Sequence, residues 1–463
     1  MAGAKEGYVK VPPPKEVRPP LPRGPFLVVG LARSGQAAAR LLTERGEAVR
    51  AVDSAHPEGA AGLSALGVEV HLDTDGLAQL EGMHTVVKSP GVPRAAAVIA
   101  AALERGIEVT GELELAWRAL PNRTVAVTGT NGKTTTVELL GHLYRSAGEP
   151  VAVAGNVGTP LASLVGTVEP DATVVCEASS FQLEDTDLFA PECAVFLNLA
   201  PDHLDRHRTL EAYLAAKLRI FANQGNDDVA VFNEDESALA GVDLGGCARR
   251  VGFCVGAGPD CEVSLAEGTI FYDGEALLPV SELGLFGEHN VANAMAAAAA
   301  ALSMGIDREA VREGLRSFAG VPHRLEPVAE IGGVRFVNDS KATNVASASV
   351  GLRAFEGGVH AILGGSDKDE PFAPLLEPLR ESAIAAYLVG ATAKRMALEL
   401  APAVAEGIPL YRCADLEDAV RRAAAAAKPG EVVLLSPACA SFDAFPGFEA
   451  RGERFREIVE GLR

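Results

Sequence analysis

The chain has 463 residues, a length that suggests about three domains. A formal net charge of −21 argues against general nucleic-acid binding, and 48% hydrophobic with only 5% aromatic residues indicates α/β layers packed by Ala, Val and Leu. The seven cysteines are scattered without a CxxC pair, so we expect neither a disulfide framework nor a zinc site. No signal peptide or membrane-spanning run is visible, which predicts a soluble cytoplasmic protein.

The N-terminal region combines a proline-rich segment with a Rossmann-like opening. Residues 1–25 cannot form a helix or a central strand, so we expect a flexible or extended tail. A strand, the turn 30–35, a helix and a second strand ending at Asp53 open a first domain of residues 26–117. Asp53 could bind a sugar or a base edge. Ala32 stands where the dinucleotide fingerprint has its second glycine, and its methyl group hinders a pyrophosphate, which argues against NAD.

The segment TVAVTGTNGKTTT, residues 124–136, predicts a phosphate-binding loop. A short buried strand leads into a loop opened by two glycines, and a helix begins at Lys133. The N–H groups at a helix start bind polyphosphate. Lys133 can reach the outer phosphates and the Thr134 hydroxyl can ligate Mg²⁺. The generic pattern is incomplete because Val127 replaces a glycine, and the alternative is a Gly-Lys turn that caps an ordinary helix.

The second predicted domain, residues 118–320, places polar residues at strand ends. Glu177 follows a strand that we expect to run parallel to the phosphate-loop strand, which is a suitable place for a Mg²⁺ ligand. His203 lies just beyond another core strand, between two aspartates, and could line the same site or be structural.

Three later side chains of this domain are less clear. Lys217 lies one residue from the apolar stripe of its helix, so the pattern alone predicts a surface lysine. Asn290 and Asn293 fall on one face at the start of an Ala-rich helix. They could recognise a base, or Asn290 could cap the helix.

The third predicted domain, residues 321–463, repeats βα units and indicates a second doubly wound, mostly parallel sheet. Arg324, Lys341 and Lys368 form a basic set at loop positions of an acidic chain. They are either solvated charges or a binding site for a phosphate or a carboxylate.

A series of motifs resembles the Mur ligases of peptidoglycan synthesis. In chain order these are VTGTNGKTTT, NVG, ASSFQLE, PDHLDRH, AAKLRIF, GEHNVANA, HRLE, NDSKATN, GGSDK and SPACASFDAF. The resemblance covers residues 26–463. It implies a three-domain α/β fold: a Rossmann-like N-terminal domain, a central P-loop ATPase-like domain with a mostly parallel sheet, and a C-terminal doubly wound Rossmann-like domain.

The resemblance also implies a reaction. ATP would phosphorylate the carboxylate of UDP-N-acetylmuramoyl-L-alanine, and the amine of D-glutamate would attack the acyl phosphate, with two Mg²⁺ ions assisting. The final segment and the absence of a DNPR motif favour D-glutamate. Ligation of another amino acid and a folylpolyglutamate synthetase are the alternatives. We expect a monomer that binds no nucleic acid.

The roles of individual residues follow from the resemblance, residue by residue. The nucleotide would be bound by Thr128, Gly129, Thr130, Asn131, Gly132, Lys133, Thr134, Thr135, Asn290, Asn293, Arg324 and Asp339. The metal ligands would be Thr134, Glu177, His203 and a carbamylated Lys217, with Lys133, His203 and Lys217 catalytic. The UDP-sugar would contact Ser34, Asp53, Ser89, Asn156, Gly158 and His203. The amino acid would contact Lys341, Thr343, Lys368, Ser436 and Phe442.

Two other classes of function would account for part of the sequence. An NAD-dependent oxidoreductase would use the turn 30–35, but it leaves the phosphate loop and the NDSKATN segment unexplained. A non-catalytic nucleotide switch would explain the phosphate loop, but not the basic residues of the third domain.

Overall fold

The computed structural model describes residues 11–15, 17–239, 241–256, 261–285, 287–367 and 370–463. The chain divides into two compact units. The first is Met1–Leu283 with Val291–Ser317, and the second is Gly284–Asn290 with Phe318–Arg463. The domain bounds at residues 117 and 320 stay a prediction. No helix of the described residues is long and apolar enough to cross a membrane.

The first sheet of the first unit has five parallel strands in the order β3-β2-β1-β4-β5. They are β1 Phe26–Val29, β2 Val49–Val52, β3 Glu69–His71, β4 Thr85–Lys88 and β5 Glu108–Gly111. The helices are α1 Arg33–Glu44, α2 Ala97–Glu104 and α3 Glu112–Ala119. The strand order reverses between β1 and β4, and open sheets of this kind bind ligands in the crevice beyond the strand ends at that point.

The second sheet has nine strands in the order β14-β13-β12-β11-β10-β9-β6-β8-β7. The strands from β7 to β12 in this order are parallel, whereas β13 pairs antiparallel with both β12 and β14. The strands are β6 Thr124–Thr128, β7 Val151–Gly155, β8 Thr173–Glu177, β9 Cys193–Phe196, β10 Val229–Asn233, β11 Arg249–Cys254, β12 Val263–Ala266, β13 Thr269–Tyr272 and β14 Glu275–Pro279. The central strands are buried runs of Val, Ala and Cys, as expected for a sheet covered on both faces. The loop after β6 therefore lies between the ends of β8 and β9.

The helices that follow these strands are α4 Lys133–Ser146, α5 Ser180–Leu183, α6 Leu204–His207, α7 Leu210–Leu218, α8 Glu288–Ser303 and α9 Arg308–Ser317. The alanines of α8 from Ala294 to Ala301 are fully buried, which allows close packing. Short 3₁₀ helices span Ala60–Leu66, Ala78–Leu80, Leu161–Leu164, Ser237–Leu239, Val280–Glu282 and Ala373–Leu375.

The proline-rich tail is extended and bonded to the first unit over its described residues. Arg18 donates to the carbonyl oxygens of Leu120 and Asn122 at 3.1 and 2.7 Å, and it forms a 3.0 Å ion pair with Glu192. Lys15 forms a 2.8 Å ion pair with Asp228. Of the two expected forms, flexible or extended, the described part takes the extended one, because buried carboxylates hold its two cations.

Cysteine pairing differs in one place from the expectation. A disulfide joins Cys254 and Cys261, while Cys176, Cys193, Cys247, Cys413 and Cys439 are free. The CxxC rule could not find this pair, which is separated by seven positions. It closes a local stretch and is not a framework that links distant elements.

The sheet of the second unit has six strands in the order β15-β16-β20-β17-β18-β19, parallel except for the antiparallel edge pair β15 and β16. The strands are β15 Glu326–Ile331, β16 Val334–Asn338, β17 Val359–Gly364, β18 Ala383–Val389, β19 Leu410–Arg412 and β20 Val432–Leu435. The helices are α10 Val345–Arg353, α11 Leu376–Ser382, α12 Ala393–Glu399, α13 Ala401–Ala405, α14 Leu416–Ala426 and α15 Phe448–Glu460. Apolar clusters cover both faces, so the prediction of a doubly wound sheet is confirmed.

Candidate active site

The phosphate loop, residues 129–132, lies between β6 and α4 as the sequence predicts. Gly129 and Gly132 have φ values of +150° and +82°, a region that side chains rarely adopt. A Cβ at Gly132 would lie 2.1 Å from Oδ1 of Asn293, so the loop and α8 approach too closely for any side chain there. The predicted nucleotide residues Thr128, Gly129, Thr130, Asn131, Gly132, Lys133, Thr134, Thr135 and Asn293 thus lie together in the first unit.

Asn198, which the sequence reading missed, holds the tip of this loop. Its Oδ1 accepts from the N–H groups of Thr130 and Asn131 at 3.1 and 2.9 Å, and its Nδ2 donates to the carbonyl of Asn131 at 3.2 Å. Asn198 follows β9, which pairs with β6. The sequence signal that could have indicated Asn198 was a polar residue just after β9, the neighbour of the phosphate-loop strand.

Lys133 and Lys217 both donate to the carbonyl oxygen of Gly129, at 3.0 and 2.6 Å. The pattern-based expectation of a surface lysine is wrong, because Lys217 is only 1% exposed and its ammonium lies 4.4 Å from the Tyr213 ring centroid. Burial, followed by the charge of Lys133, lowers the pKa of Lys217 to about 6. Near neutral pH its amine is therefore largely unprotonated.

Glu177 lies at the end of β8 and joins two predicted site residues. Its Oε2 accepts from the Thr134 hydroxyl at 2.8 Å and its Oε1 from Nδ2 of Asn156 at 3.0 Å. A carboxylate beside a hydroxyl is an oxygen donor set that suits Mg²⁺, so these residues fit one predicted metal site. Within the described ranges no group of three or more His, Cys, Asp or Glu side chains is placed to hold a metal ion.

His203 lies in the loop after β9, with a φ of +52°. Its side chain is 48% exposed, and its Nε2 is 3.5 Å from Oδ2 of Asp202. The ring lies 4.8 Å from that of Phe181 and 6.4 Å from that of Tyr213. Tyr213 is also the ring beneath the Lys217 ammonium, so both predicted metal ligands lie near the same aromatic side chain.

A cavity of about 350 Å³ lies within the first unit, at the switch point of the first sheet. Its lining includes every residue predicted for the UDP-sugar except His203: Ser34, Asp53, Ser89, Asn156 and Gly158. Asp53 has a structural part as well, because its carboxylate accepts from the N–H groups of Leu31 and Ala55 at 2.6 and 2.9 Å. It thereby fixes the turn after β1.

In the second unit, Asp339 and Ser436 are buried together at the ends of β16 and β20. The Ser436 hydroxyl donates to Oδ2 of Asp339 at 2.7 Å, and the N–H of Leu325 donates to Oδ1 at 3.2 Å. Burial raises the pKa of Asp339 to about 7, although these bonds and the charge of Arg324 oppose the rise. Ser436 has no exposed surface, and its contact with the amino acid stays a prediction.

The other predicted residues of the second unit are placed as follows. Lys341 and Thr343 lie in the loop after β16, and the Lys341 ammonium is 5.9 Å from the Phe448 ring centroid. Phe442 is 75% exposed. Asn290 is buried, and its N–H donates to the carbonyl of Gly287 at 3.0 Å. Lys368 lies outside the described residues.

Arg451, to which the sequence reading gave no role, joins the two loops of this unit. Its buried guanidinium donates to the carbonyl oxygens of Ser340, Cys439 and Ala440 at 2.8, 3.0 and 3.2 Å. Burial lowers its pKa to about 10, so it stays charged at neutral pH. The loops that carry Lys341 and Phe442 are therefore bonded to one cation.

Family models match three successive segments of the chain. They are described as Mur ligase MurD-like, N-terminal domain (residues 25–111), Mur ligase middle domain (127–301) and Mur ligase, glutamate ligase domain (323–439). Apart from residues at the segment ends, these segments correspond to the first sheet, the second sheet and the sheet of the second unit.

Named relatives match nearly the whole chain. Proteins named UDP-N-acetylmuramoylalanine--D-glutamate ligase from Acidobacterium capsulatum and Pelotomaculum thermopropionicum are each 42% identical to it. The matches cover 94% and 95% of this chain and 95% and 98% of the relatives. The protein of that name from Anaeromyxobacter dehalogenans is 45% identical over 93% of this chain and 96% of its own.

Solved structures support the fold. The UDP-N-acetylmuramate-alanine ligase MurC from Thermotoga maritima is 20% identical, with a TM-score of 0.57, covering 95% of this chain and 99% of its own. A UDP-N-acetylmuramoyl-L-alanyl-D-glutamate--2,6-diaminopimelate ligase is 21% identical, with a TM-score of 0.55, covering 97% and 98%. With the relatives above, they confirm the predicted α/β fold class: this chain belongs to the Mur ligase family.

Proposed function

We propose that the protein ligates D-glutamate to UDP-N-acetylmuramoyl-L-alanine at the expense of ATP, in the synthesis of peptidoglycan precursors. The observation that carries the proposal is the set of relatives of that name, about 42% identical over nearly the full length of both chains. The phosphate loop and the cavity at the first switch point support it, because they offer places for ATP and for a nucleotide-linked sugar. ATP and these soluble substrates favour the cytoplasm.

The chemistry begins with a carboxylate that is a poor electrophile. Attack of the L-alanyl carboxylate on the γ-phosphorus of ATP forms a C–O–P linkage and releases ADP. The amine of D-glutamate then adds to the acyl carbon, loses a proton, and expels inorganic phosphate to leave an amide. Lys133 and the N–H groups at the start of α4 bind the phosphates and stabilise the charge that moves onto the leaving ADP.

The predicted metal ligands of this site are oxygen donors and one imidazole. Thr134 and Glu177 would hold one Mg²⁺, and His203 with a carbamylated Lys217 would hold a second. The ions supply positive charge that reduces the repulsion between the triphosphate and the attacking carboxylate. Asn156 orients Glu177 through its 3.0 Å hydrogen bond.

The protonation state of Lys217 decides whether it can become a metal ligand. A protonated ammonium repels a cation, whereas the neutral amine can add to CO₂, forming an N–C bond and releasing a proton. The product is a carbamate, an oxygen-ligand anion suited to Mg²⁺. The burial of Lys217 and its pKa of about 6 support this modification.

In the second unit, Lys341 supplies a charge and Thr343 a hydroxyl for the carboxylates of D-glutamate, with Phe442 as an apolar wall. Lys368 is proposed for the second carboxylate on the basis of its motif. Arg324 and Asp339 would act at the nucleotide, as would Asn290. We further propose that the protein acts as a monomer.

The test is phosphate release with ATP, Mg²⁺ and UDP-N-acetylmuramoyl-L-alanine, using a panel of D- and L-amino acids. D-glutamate should give the fastest release, and the product should contain one added glutamate by mass. Faster release with L-alanine, L-lysine or L-glutamate would leave a ligase of this family but refute this substrate. No release with any amino acid would refute the ligase itself.

A further inference from the structure

A buried cluster of charged side chains lies beside the 350 Å³ cavity, outside the residues assigned so far. Lys88, at the end of β4, has no exposed surface, and its ammonium lies 2.7 Å from Oδ2 of Asp185. Arg206 follows His203 in the chain, and its guanidinium lies 2.7 Å from Oε1 of Glu184. The cluster therefore joins a strand of the first sheet to two segments that follow strands of the second.

Both cations of the cluster hold the turn 89–92 by its backbone. Lys88 donates to the carbonyl oxygen of Val92 at 2.9 Å. Arg206 donates to the carbonyl oxygens of Pro90 and Val92 at 2.7 and 3.1 Å. The turn lines the cavity, so the position of this wall depends on two charged donors that are themselves fixed by carboxylates.

The other side of the Arg206 guanidinium faces the segment that carries His203. Its central carbon lies 4.0 Å from the centroid of the Phe181 ring, close enough for a cation–π interaction. The same ring lies 4.8 Å from the ring of His203 and is stacked at 5.2 Å on that of His207. One side chain thus contacts both the cavity wall and the aromatic group around His203.

We propose that Arg206 is a positioning residue that fixes the UDP-sugar cavity relative to His203, and that Glu184 holds its guanidinium in place. The inference rests on the proposed function, which assigns the cavity to the UDP-linked substrate. Arginine suits this place because its planar fork meets two carbonyls and a carboxylate at once, whereas the three donors of a lysine radiate from one nitrogen and span less space. A carboxylate that must reach the γ-phosphorus is sensitive to small displacements of its binding site.

The experiment compares R206Q, R206K and E184Q with the wild type and with R208Q. Arg208 is exposed and close by in the sequence, so R208Q removes the same charge without touching the cluster. Calorimetry measures the affinity for UDP-N-acetylmuramoyl-L-alanine and, separately, for ADP, and steady-state kinetics give KM and kcat.

For R206Q we expect affinity for the UDP-linked substrate to fall about tenfold and kcat to fall at least as much, with ADP affinity changed less than about twofold. The substrate affinity and kcat of R206K should lie between those of R206Q and the wild type. Those of E184Q should change in the same direction as those of R206Q, and those of R208Q should match the wild type.

Unchanged affinity of folded R206Q for the UDP-linked substrate would overturn the proposal. An equal loss of affinity for ADP would do so too, because it would indicate general damage. If R206Q does not fold, E184Q decides by the same two criteria. A wild-type enzyme that binds the UDP-linked substrate but forms no amide with D-glutamate would refute the proposed function, while the calorimetric test of Arg206 would still hold.

Discussion

Lys133 and Lys217 share one acceptor, the carbonyl oxygen of Gly129, which lies 3.0 Å from the first ammonium and 2.6 Å from the second. Two like charges at one oxygen repel each other, and the buried member of the pair loses its proton more easily. The pKa of Lys217 accordingly falls to about 6, with burial as the larger cause and Lys133 as the second. The first residue of α4 therefore helps to keep the lysine of α7 neutral.

Activity should depend on CO₂ through Lys217. Since the amine is protonated below its pKa of about 6, carbamylation and activity should both fall as the pH drops through 6. Removal of CO₂ at pH 7.5 or the substitution K217A should lower kcat by about 10² or more. Labelling with ¹³C-bicarbonate should give a carbamate signal by NMR that K217A lacks.

The exposed lysine Lys394 provides the control, because K394A should retain both the signal and the activity. Full activity of K217A, or a wild-type enzyme indifferent to CO₂, would exclude the carbamate.

K133A should fold but be nearly inactive. Loss of a preorganised charge at a transferring phosphate raises a barrier by several kcal/mol, a factor of about 10³. The same substitution removes a neighbouring positive charge, so the pKa of Lys217 should rise, and the NMR carbamate signal should disappear at a higher pH than in the wild type. Wild-type turnover of K133A at saturating ATP would remove the basis for the phosphate site.

Arg18 should matter for stability, although it lies in the proline-rich tail. Glu192 has no exposed surface, and it accepts from Arg18 and from the N–H of Thr124 at 2.8 Å. R18M would leave a buried carboxylate without its counter-ion, which typically costs about 3–5 kcal/mol. The midpoint of urea unfolding should fall clearly for R18M but not for the exposed control R23M. Equal midpoints for the two variants would show that the tail is dispensable for stability.

Glu112 should make stability depend on pH. Its Oε1 accepts from the N–H of Ala162 at 2.6 Å, while Oε2 has no hydrogen-bond partner in the described part of the chain. Burial raises the pKa from 4.5 to about 7, so between these values the folded form retains a proton that the unfolded form has lost. Stability therefore falls as the pH rises from 4.5 to 7, and the cost is complete above 7.

E112Q removes this cost, because glutamine keeps the acceptor and carries no charge. E112Q should be more stable than the wild type at pH 8, by up to about 3 kcal/mol, and the difference should shrink at pH 5. Thermal unfolding at both pH values measures it, and E104Q, an exposed change on α2, is the control. If E112Q differed from the wild type in stability by the same amount at both pH values, a raised pKa of Glu112 would not be the cause.

R451K should raise the KM for D-glutamate far more than that for ATP, by about tenfold, because the donors of lysine radiate from one nitrogen and do not reproduce the wide, planar fork of the guanidinium. R454K, an exposed change on the same helix, should leave both values near those of the wild type. Equal increases in the two KM values would mean that Arg451 supports the unit as a whole.

The sequence predicted those parts of the site that are local in the chain. The strand, glycine loop and helix around Lys133 lie where expected, because hydrophobic pattern and backbone chemistry decide such units over a few residues. The hydrophobic pattern did not predict the burial of Lys217, because the side chain is held by a carbonyl oxygen of a loop that is distant in the sequence.

Asn198, Arg206 and Arg451 were missed for a related reason. Each bonds mainly to backbone N–H or carbonyl groups, which every residue carries, so the sequence marks the donor or acceptor without its partner. Arg18 is similar, because proline content excluded a helix but could not reveal a buried carboxylate far along the chain.

The bonded tail has a consequence for the order in which the molecule is made. Lys15 is synthesised early, yet its partners Glu192 and Asp228 follow 177 and 213 residues later. Contacts of such separation form only after the intervening chain has ordered. A nascent chain that has not yet reached Asp228 therefore lacks the ion-pair partner of Lys15, although the Arg18 acceptors Leu120 and Asn122 have already been made.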